Sequence, residues 1–218
     1  MLNLTLGAIE AELSILLIGA HCDDIEIGCG ATVLQLVDRY PAARFDWVVL
    51  SSDEVRGMEA RNAASEFLKG AENSNVVIEG FRDGFLPYLG FEVKECFEQL
   101  KGSIQPDIIF THYRGDAHQD HRLVCELTWN TWRDHLILEY EVPKFDGDLG
   151  SPNVFVNTAK HERAEKLRIL IDCYGSQLSR SWFSEETFLS LMRLRGIECN
   201  ARSGYAEAFY VPKAPLAI

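Results

Sequence analysis

Short apolar runs rich in β-branched residues recur along this chain, and the stretches between them repeat their apolar positions at helical spacing. Residues 14–20, 45–51, 75–79 and 107–111 read as strands, and 30–40, 54–69 and 91–103 as the helices between them. Strand and helix in alternation predict βα units around a largely parallel sheet flanked by helices, which is an α/β fold. Further on, the pattern predicts a helix after Arg122 as far as Asp134 and extended runs at 137–142 and 154–157. Helices from Ala159 to about Tyr174 and over 185–195, then a last strand at 205–211, complete the chain. Segments rich in Gly, Pro, Asp and Ser at 82–84, 144–153 and 177–184 are the expected rim of a pocket.

Nothing along the sequence separates two cores, and there is no internal repeat, so residues 1–218 read as a single domain. The net charge of -12 argues against a nucleic acid or an anionic membrane surface as partner, because such binding needs a basic footprint. The apolar stretch 2–20 is interrupted by Glu10 and Glu12 and follows no Lys or Arg, so neither a membrane insertion nor a cleaved leader is expected. Cysteines occur at 22, 29, 96, 125, 173 and 199 without a CxxC pair, a usage that predicts reduced thiols and a cytoplasmic protein. Assembly into a homo-oligomer is left open.

Two clusters carry the chemistry: His21-Cys22-Asp23-Asp24 and His118-Gln119-Asp120-His121. The first follows the first predicted strand and the second follows the fourth, which is where open α/β sheets bind ligands. An imidazole and a carboxylate at i and i+3 on a tight turn can face one point, so His21 and Asp24 are the expected metal ligands, joined by His121 from the neighbouring strand end. Three protein ligands leave room for water, the mark of a catalytic rather than a structural site. Asp23, next to a ligand but free of the ion, is placed to take a proton from water. His118 is placed to give one to a leaving group, with Asp120 or Asp116 holding its ring in the required tautomer. Such a division of labour suits amide hydrolysis.

The tract Gly28-Cys29-Gly30-Ala31-Thr32 is not read as a dinucleotide fingerprint, since it starts late after the strand and Val33 stands where the third Gly belongs. Its glycines are expected to let a helix pack closely. Arg56 offers five fixed donors for a sugar hydroxyl or a phosphate, with a salt bridge to Glu59 as the competing reading. Cys22 reads either as a thiolate beside the metal or as a buried spectator thiol. His112, His135 and His161 lack motif context and are assigned structural roles.

These residues resemble a known family. Ala20 to Gly30, beginning Ala-His-Cys-Asp-Asp, is similar to the first motif of the PIG-L/LmbE-like zinc de-N-acetylases, and Asp116 to Arg122 is similar to their second. Weaker echoes occur at Arg56 to Glu59, Arg82 to Leu86, Tyr174 to Gln177, and from Arg195-Gly196 to Phe209. The resemblance implies a Rossmann-like (LmbE-like) fold, a metal on His21, Asp24 and His121, Asp23 as general base, and His118 as general acid or oxyanion stabiliser. It implies removal of acetyl groups from N-acetylglucosamine-type sugars, so the expected partner is a small N-acetylated sugar. Departures are Cys22 and Gln119 for two common prolines, Ala31 for a Gly, and an acidic residue at 26 instead of 25. Asp116, expected at the substrate, stands where some members carry an aromatic residue.

One Zn²⁺ per site is the expected cofactor, with Fe²⁺ as the alternative, because two imidazoles and one carboxylate are also the facial set of non-haem iron enzymes. Two further readings remain: a single-metal hydrolase of another amide or an ester, and a non-catalytic metal-dependent sugar-binding protein. Phosphoester hydrolysis would commonly want a second metal and more bridging carboxylates.

Overall fold

The computed structural model describes residue 6 and residues 13–215. Residues 2–5 and 7–12 of the apolar stretch 2–20 therefore lie outside the described residues. Seven strands form one sheet: β1 (Ser14–Gly19), β2 (Arg44–Ser51), β3 (Asn73–Phe81), β4 (Ile108–His112), β5 (Leu136–Tyr140), β6 (Val154–Asn157) and β7 (Ala206–Tyr210), in the order β3-β2-β1-β4-β5-β7-β6. The first five run parallel, while β7 is antiparallel to both β5 and β6. Six helices cover the faces: α1 (Asp24–Arg39), α2 (Glu54–Phe67), α3 (Gly90–Ser103), α4 (Gln119–Thr131), α5 (Lys160–Cys173) and α6 (Glu185–Glu198). Strand β1, Ser-Ile-Leu-Leu-Ile-Gly, is apolar throughout because it lies between β2 and β4 and is buried on both faces.

Side chains alternate from β1 and β2 into two apolar layers. Ile15, Leu17, Phe45 and Trp47 face Phe67, Leu170 and Tyr174, while Leu16, Ile18 and Val48 face Val93, Phe97, Val124 and Trp132. The chain runs outward from β1 to β3 and then crosses back to β4, so the carboxyl ends of β1 and β4 diverge into a crevice at the switch point. Both sequence clusters sit there.

Two helix starts differ from the sequence expectation, and both differences shape the crevice. Helix α1 begins at Asp24, six residues ahead of the expected Gly30, and is broken at Cys29, whose φ is -142°. The break frees the N–H groups of Ala31 and Thr32, which donate to the Glu207 carboxylate at 2.9 and 2.7 Å. In effect Glu207 caps a second helix inside the first, and the periodicity from Gly30 onward marks that second segment. The buried Lys166 ammonium donates to Glu207 and to the carbonyl of Ile27, both at 2.6 Å, joining the two segments. A Cβ on Gly28 would stand 2.2 Å from the Tyr140 ring, so the glycine serves close packing as expected. Helix α4 starts at Gln119 rather than after Arg122 because His118 is its cap, its Nδ1 accepting from the Asp120 N–H at 3.2 Å.

Candidate metal and catalytic site

His21 leaves β1 on the turn into α1, and its backbone N–H donates to Asp24 Oδ2 at 2.6 Å, closing the turn so that both side chains face the crevice. His121 arrives from the first turn of α4. The three donor atoms converge: His21 Nδ1 lies 3.1 Å from His121 Nε2 and 3.2 Å from Asp24 Oδ2, and His121 Nε2 lies 3.4 Å from Asp24 Oδ1. Tetrahedral zinc with bonds of about 2.0–2.1 Å sets its donors about 3.3 Å apart. Each ring is fixed by carboxylates on its far nitrogen. His21 Nε2 meets Asp83 Oδ1 at 3.1 Å and Asp120 Oδ2 at 3.2 Å, and His121 Nδ1 meets Asp116 Oδ2 at 2.9 Å. With the protons on these outer nitrogens, two lone pairs and a carboxylate would be aimed at one point.

The electrostatics make the same demand for a cation. Burial works against charging His21 and His121, yet the surrounding carboxylates, Asp24 foremost, outweigh it and raise both above the usual histidine range. Burial likewise opposes ionising Asp24, but His121, His112 and His21 hold it well below the usual carboxylate range. Three groups of three among the described residues are close enough to hold an ion, and each shares residues with this set: His21, His118 and His121; Asp24, His112 and His121; and His21, Asp83 and Asp120. His112 Nε2 is already occupied by the Ala20 N–H at 2.9 Å, and His118 Nδ1 by the Asp120 N–H. His21, Asp24 and His121 each present a donor atom to the point where the other two converge.

Asp23 is buried beside this set. Its Oδ1 pairs with Arg56 Nη2 at 2.9 Å, whereas Oδ2 has no partner. Burial raises its pKa, opposed by Arg56 and reinforced by Asp24. The His118 ring is 4.8 Å from that of His21 and 4.6 Å from that of His121. Burial and then the neighbouring imidazoles lower its pKa, so it is a neutral ring with its proton on Nε2.

Other assignments change. Asp120, expected to orient His118 through its carboxylate, spends both oxygens elsewhere: Oδ2 on His21 and on the Gly84 N–H at 2.8 Å, Oδ1 on the Leu86 N–H at 3.3 Å. Only its backbone N–H meets His118. Asp116, expected at the substrate, is 3 % exposed and lies behind His121; it accepts from the His118 N–H at 2.7 Å and from Lys144 Nζ at 2.9 Å. Lys144 also binds Asp148 at 2.6 Å, which ties the 144–148 loop to the same carboxylate. Arg56 lines the cleft, and its Nε lies 3.8 Å from Glu59, the ion pair of the competing reading. The Cys22 thiol donates to the Ser51 carbonyl, and burial pushes its pKa up to about 12, which makes it the spectator.

Two further contributors stand here, His112 without motif context and Asp83 within one of the weaker family echoes. His112 ends β4, 3.2 Å from Asp24 Oδ2, and stacks on His121 with ring centres 3.9 Å apart. Burial, and then His121, lowers its pKa to about 4, so it is a neutral wall to the site. Its one sequence signal was its place at the carboxyl end of an apolar strand. Asp83 comes from the loop after β3, and its hydrogen bond to His21 lowers its pKa. The open side is a cleft of about 490 Å³ lined by His21, Ser51, Asp53, Arg56, Arg82 and Asp83. All six cysteines are unpaired, and among the described residues no helix is long and apolar enough to cross a membrane.

A Rossmann-like sheet with a His/Asp cluster at its switch point defines a class, and comparison with known proteins names it. Residues 16–132 match the PIG-L family, described as GlcNAc-PI de-N-acetylase, and the chain belongs to that family. It is similar to the uncharacterized deacetylase YaiS of Escherichia coli (strain K12), at 31% identity over 153 residues, covering 63% of this chain and 78% of the relative. Its fold is similar to GalB, the 4-carboxy-2-hydroxymuconate hydratase of Pseudomonas putida KT2440, with TM-score 0.76 at 15% identity, covering 94% of this chain and 98% of that one. It is also similar to the N,N'-diacetylchitobiose deacetylase of Pyrococcus horikoshii, with TM-score 0.66 at 19% identity, covering 93% and 84%. A hydratase and a deacetylase share this architecture, so the side chains of the site, not the fold, carry the functional argument.

Proposed function

We propose that this protein is a metal-dependent hydrolase that removes the acetyl group from an N-acetylated amino sugar of the N-acetylglucosamine type, giving free amine and acetate. The observation that carries this reading is the juxtaposition of three converging donors, His21, Asp24 and His121, with a buried carboxylate oxygen of Asp23 that has no partner. Family membership and the deacetylase relatives support the reaction class, and the diacetylchitobiose enzyme supports an N-acetyl sugar.

His21, Asp24 and His121 would hold one divalent ion, zinc by donor type with ferrous iron as the alternative. When bound, such an ion polarises an acetyl carbonyl and acidifies water. Asp23 takes a proton from the attacking water at Oδ2, while Arg56 holds Oδ1 and fixes the carboxylate plane. His118, neutral and protonated at Nε2, donates a hydrogen bond to the oxygen that becomes negative as the amide carbon turns tetrahedral. Asp23, carrying the proton taken from water, delivers it to the departing amine, which completes C–N cleavage. Arg56, at the cleft wall, also contacts the sugar.

The test is acetate release from N-acetylglucosamine conjugates, including nucleotide sugars, by protein reconstituted with zinc or with ferrous iron. Activity abolished by chelation and restored by one ion per chain is expected. Absence of acetate release with either metal across the panel would overturn the proposal.

A further inference from the structure

A second concave surface lies away from the catalytic cleft. A groove of about 650 Å³ runs beside α4, lined by Arg114, Arg122, Trp129, Arg133 and Lys213, with Glu126 among them. The chain as a whole carries 33 acidic against 21 basic side chains, so four cations around one indole oppose the sign of the molecule. Arg114 is neutralised by Glu139 at 2.7 Å. The other three are not. Arg122 donates to the carbonyls of Asp116 and Ala117, Arg133 reaches the Asn130 amide oxygen at 3.5 Å, and Lys213 donates to the Arg133 carbonyl. Among the described residues none of these three forms an ion pair with a carboxylate.

Trp129 is held between them. Its Nε1 donates to Glu139 at 2.7 Å, the Arg114 guanidinium lies 4.8 Å from its ring centre, and the Lys213 ammonium 5.5 Å. Arg122 stands near the start of α4, and Arg133 with Lys213 lines the groove beyond the helix's C-terminal end. Gathering unpaired cations in a concavity costs self-repulsion, and a guanidinium oriented by backbone carbonyls, as that of Arg122 is, is pre-set for oxyanions, phosphate above all. The volume lies within the range of about 300–1,000 Å³ usual for small-molecule sites. We propose that this groove binds a small molecule bearing linked phosphates, its phosphates on Arg133, Lys213 and Arg122 and its flat organic part against Trp129. The site is independent of acetyl hydrolysis.

Metal-stripped protein keeps the catalytic centre from competing for phosphate, and tripolyphosphate and ATP, each without divalent ions, are the probes. Calorimetry and tryptophan fluorescence are expected to show saturable binding of both. Loss of charge-assisted hydrogen bonds in the Arg133→Gln/Lys213→Gln double variant should weaken it by roughly tenfold or more. Arg122→Gln should weaken it separately. A charge-matched control, Arg39→Gln/Lys69→Gln, alters exposed cations elsewhere and should leave binding unchanged. ATP should bind more tightly than tripolyphosphate, by a margin that Trp129→Leu removes. No saturable binding of either probe, or equal weakening by the control pair, would overturn the proposal; equal affinity for the two probes would remove the indole from it.

Discussion

Asp116 Oδ2 lies 2.9 Å from Nδ1 of His121, on the side of the ring away from Asp24. The same oxygen accepts from Lys144, so a lysine, a carboxylate and an imidazole stand in line behind one proposed metal ligand. A carboxylate so placed fixes the tautomer that leaves Nε2 free and makes that nitrogen a stronger donor. Its pKa fits the role. Burial alone would raise it, but His121 and Lys144 hold it well below the usual carboxylate range.

Asp116→Asn should therefore weaken metal binding by roughly 10- to 100-fold without removing a ligand, whereas His121→Ala should abolish tight binding. Titration of zinc into stripped protein against a competing chelator measures both. Equal affinity in Asp116→Asn and wild type would return Asp116 to the substrate side of the site.

Asp23→Asn should fold and bind metal as the wild type does, because its carboxylate contacts Arg56 and none of the converging donors. Its turnover should fall by about a hundred- to ten-thousand-fold, the usual worth of a positioned base. Metal content and acetate release, measured on one preparation, separate the roles; lost metal would make Asp23 a ligand.

The pH dependence should follow from Arg56. Burial raises the Asp23 pKa and Arg56 opposes it, so removing the guanidinium raises it further. The base must be ionised, and activity is lost as pH falls through its pKa. In Arg56→Met the acid limb of kcat/KM should consequently move to higher pH. A limb that stays in place while KM alone rises would confine Arg56 to substrate binding. The basic limb reports the coupled site and not one residue; its loss in His118→Ala would identify that ring as the proton donor.

Glu207→Ala should test the joint in α1. It strands the buried Lys166 ammonium and uncaps Ala31 and Thr32, and breaking a buried pair from one side costs on the order of 3–5 kcal/mol. Urea unfolding should show that loss in the transition midpoint. The double variant Glu207→Ala/Lys166→Met should recover part of it, since no buried charge is then left alone.

Element order and the parallel sheet were legible because local pattern reports them. Apolar runs such as Ile15 to Ile18 and helical faces such as that of α3 depend on neighbours a few residues away. The pairing of His21 and Asp24 was legible for the same reason, three residues on one turn. Which carboxylate serves which imidazole was not. Asp120 is two residues from His118 yet orients His21, 99 positions away, and Asp116 backs His121 instead of facing the cleft. His112 gave no motif signal, and Asp83 only a weak family echo with no role attached, because what makes them part of the site is proximity across β4, β1 and the loop after β3. Glu207 caps, from 175 positions downstream, the segment of α1 that the periodicity marked, and the turn of helix ahead of it gave no periodic signal. Hydrogen bonds of about 3 Å depend on how the sheet twist and helix packing bring distant segments together, and no spacing along the chain encodes that distance. The sequence by itself therefore determined the fold class and the atoms able to ligate and to move protons. Only the tertiary structure decided their partners, and with them the tautomers and charges on which the proposed chemistry rests.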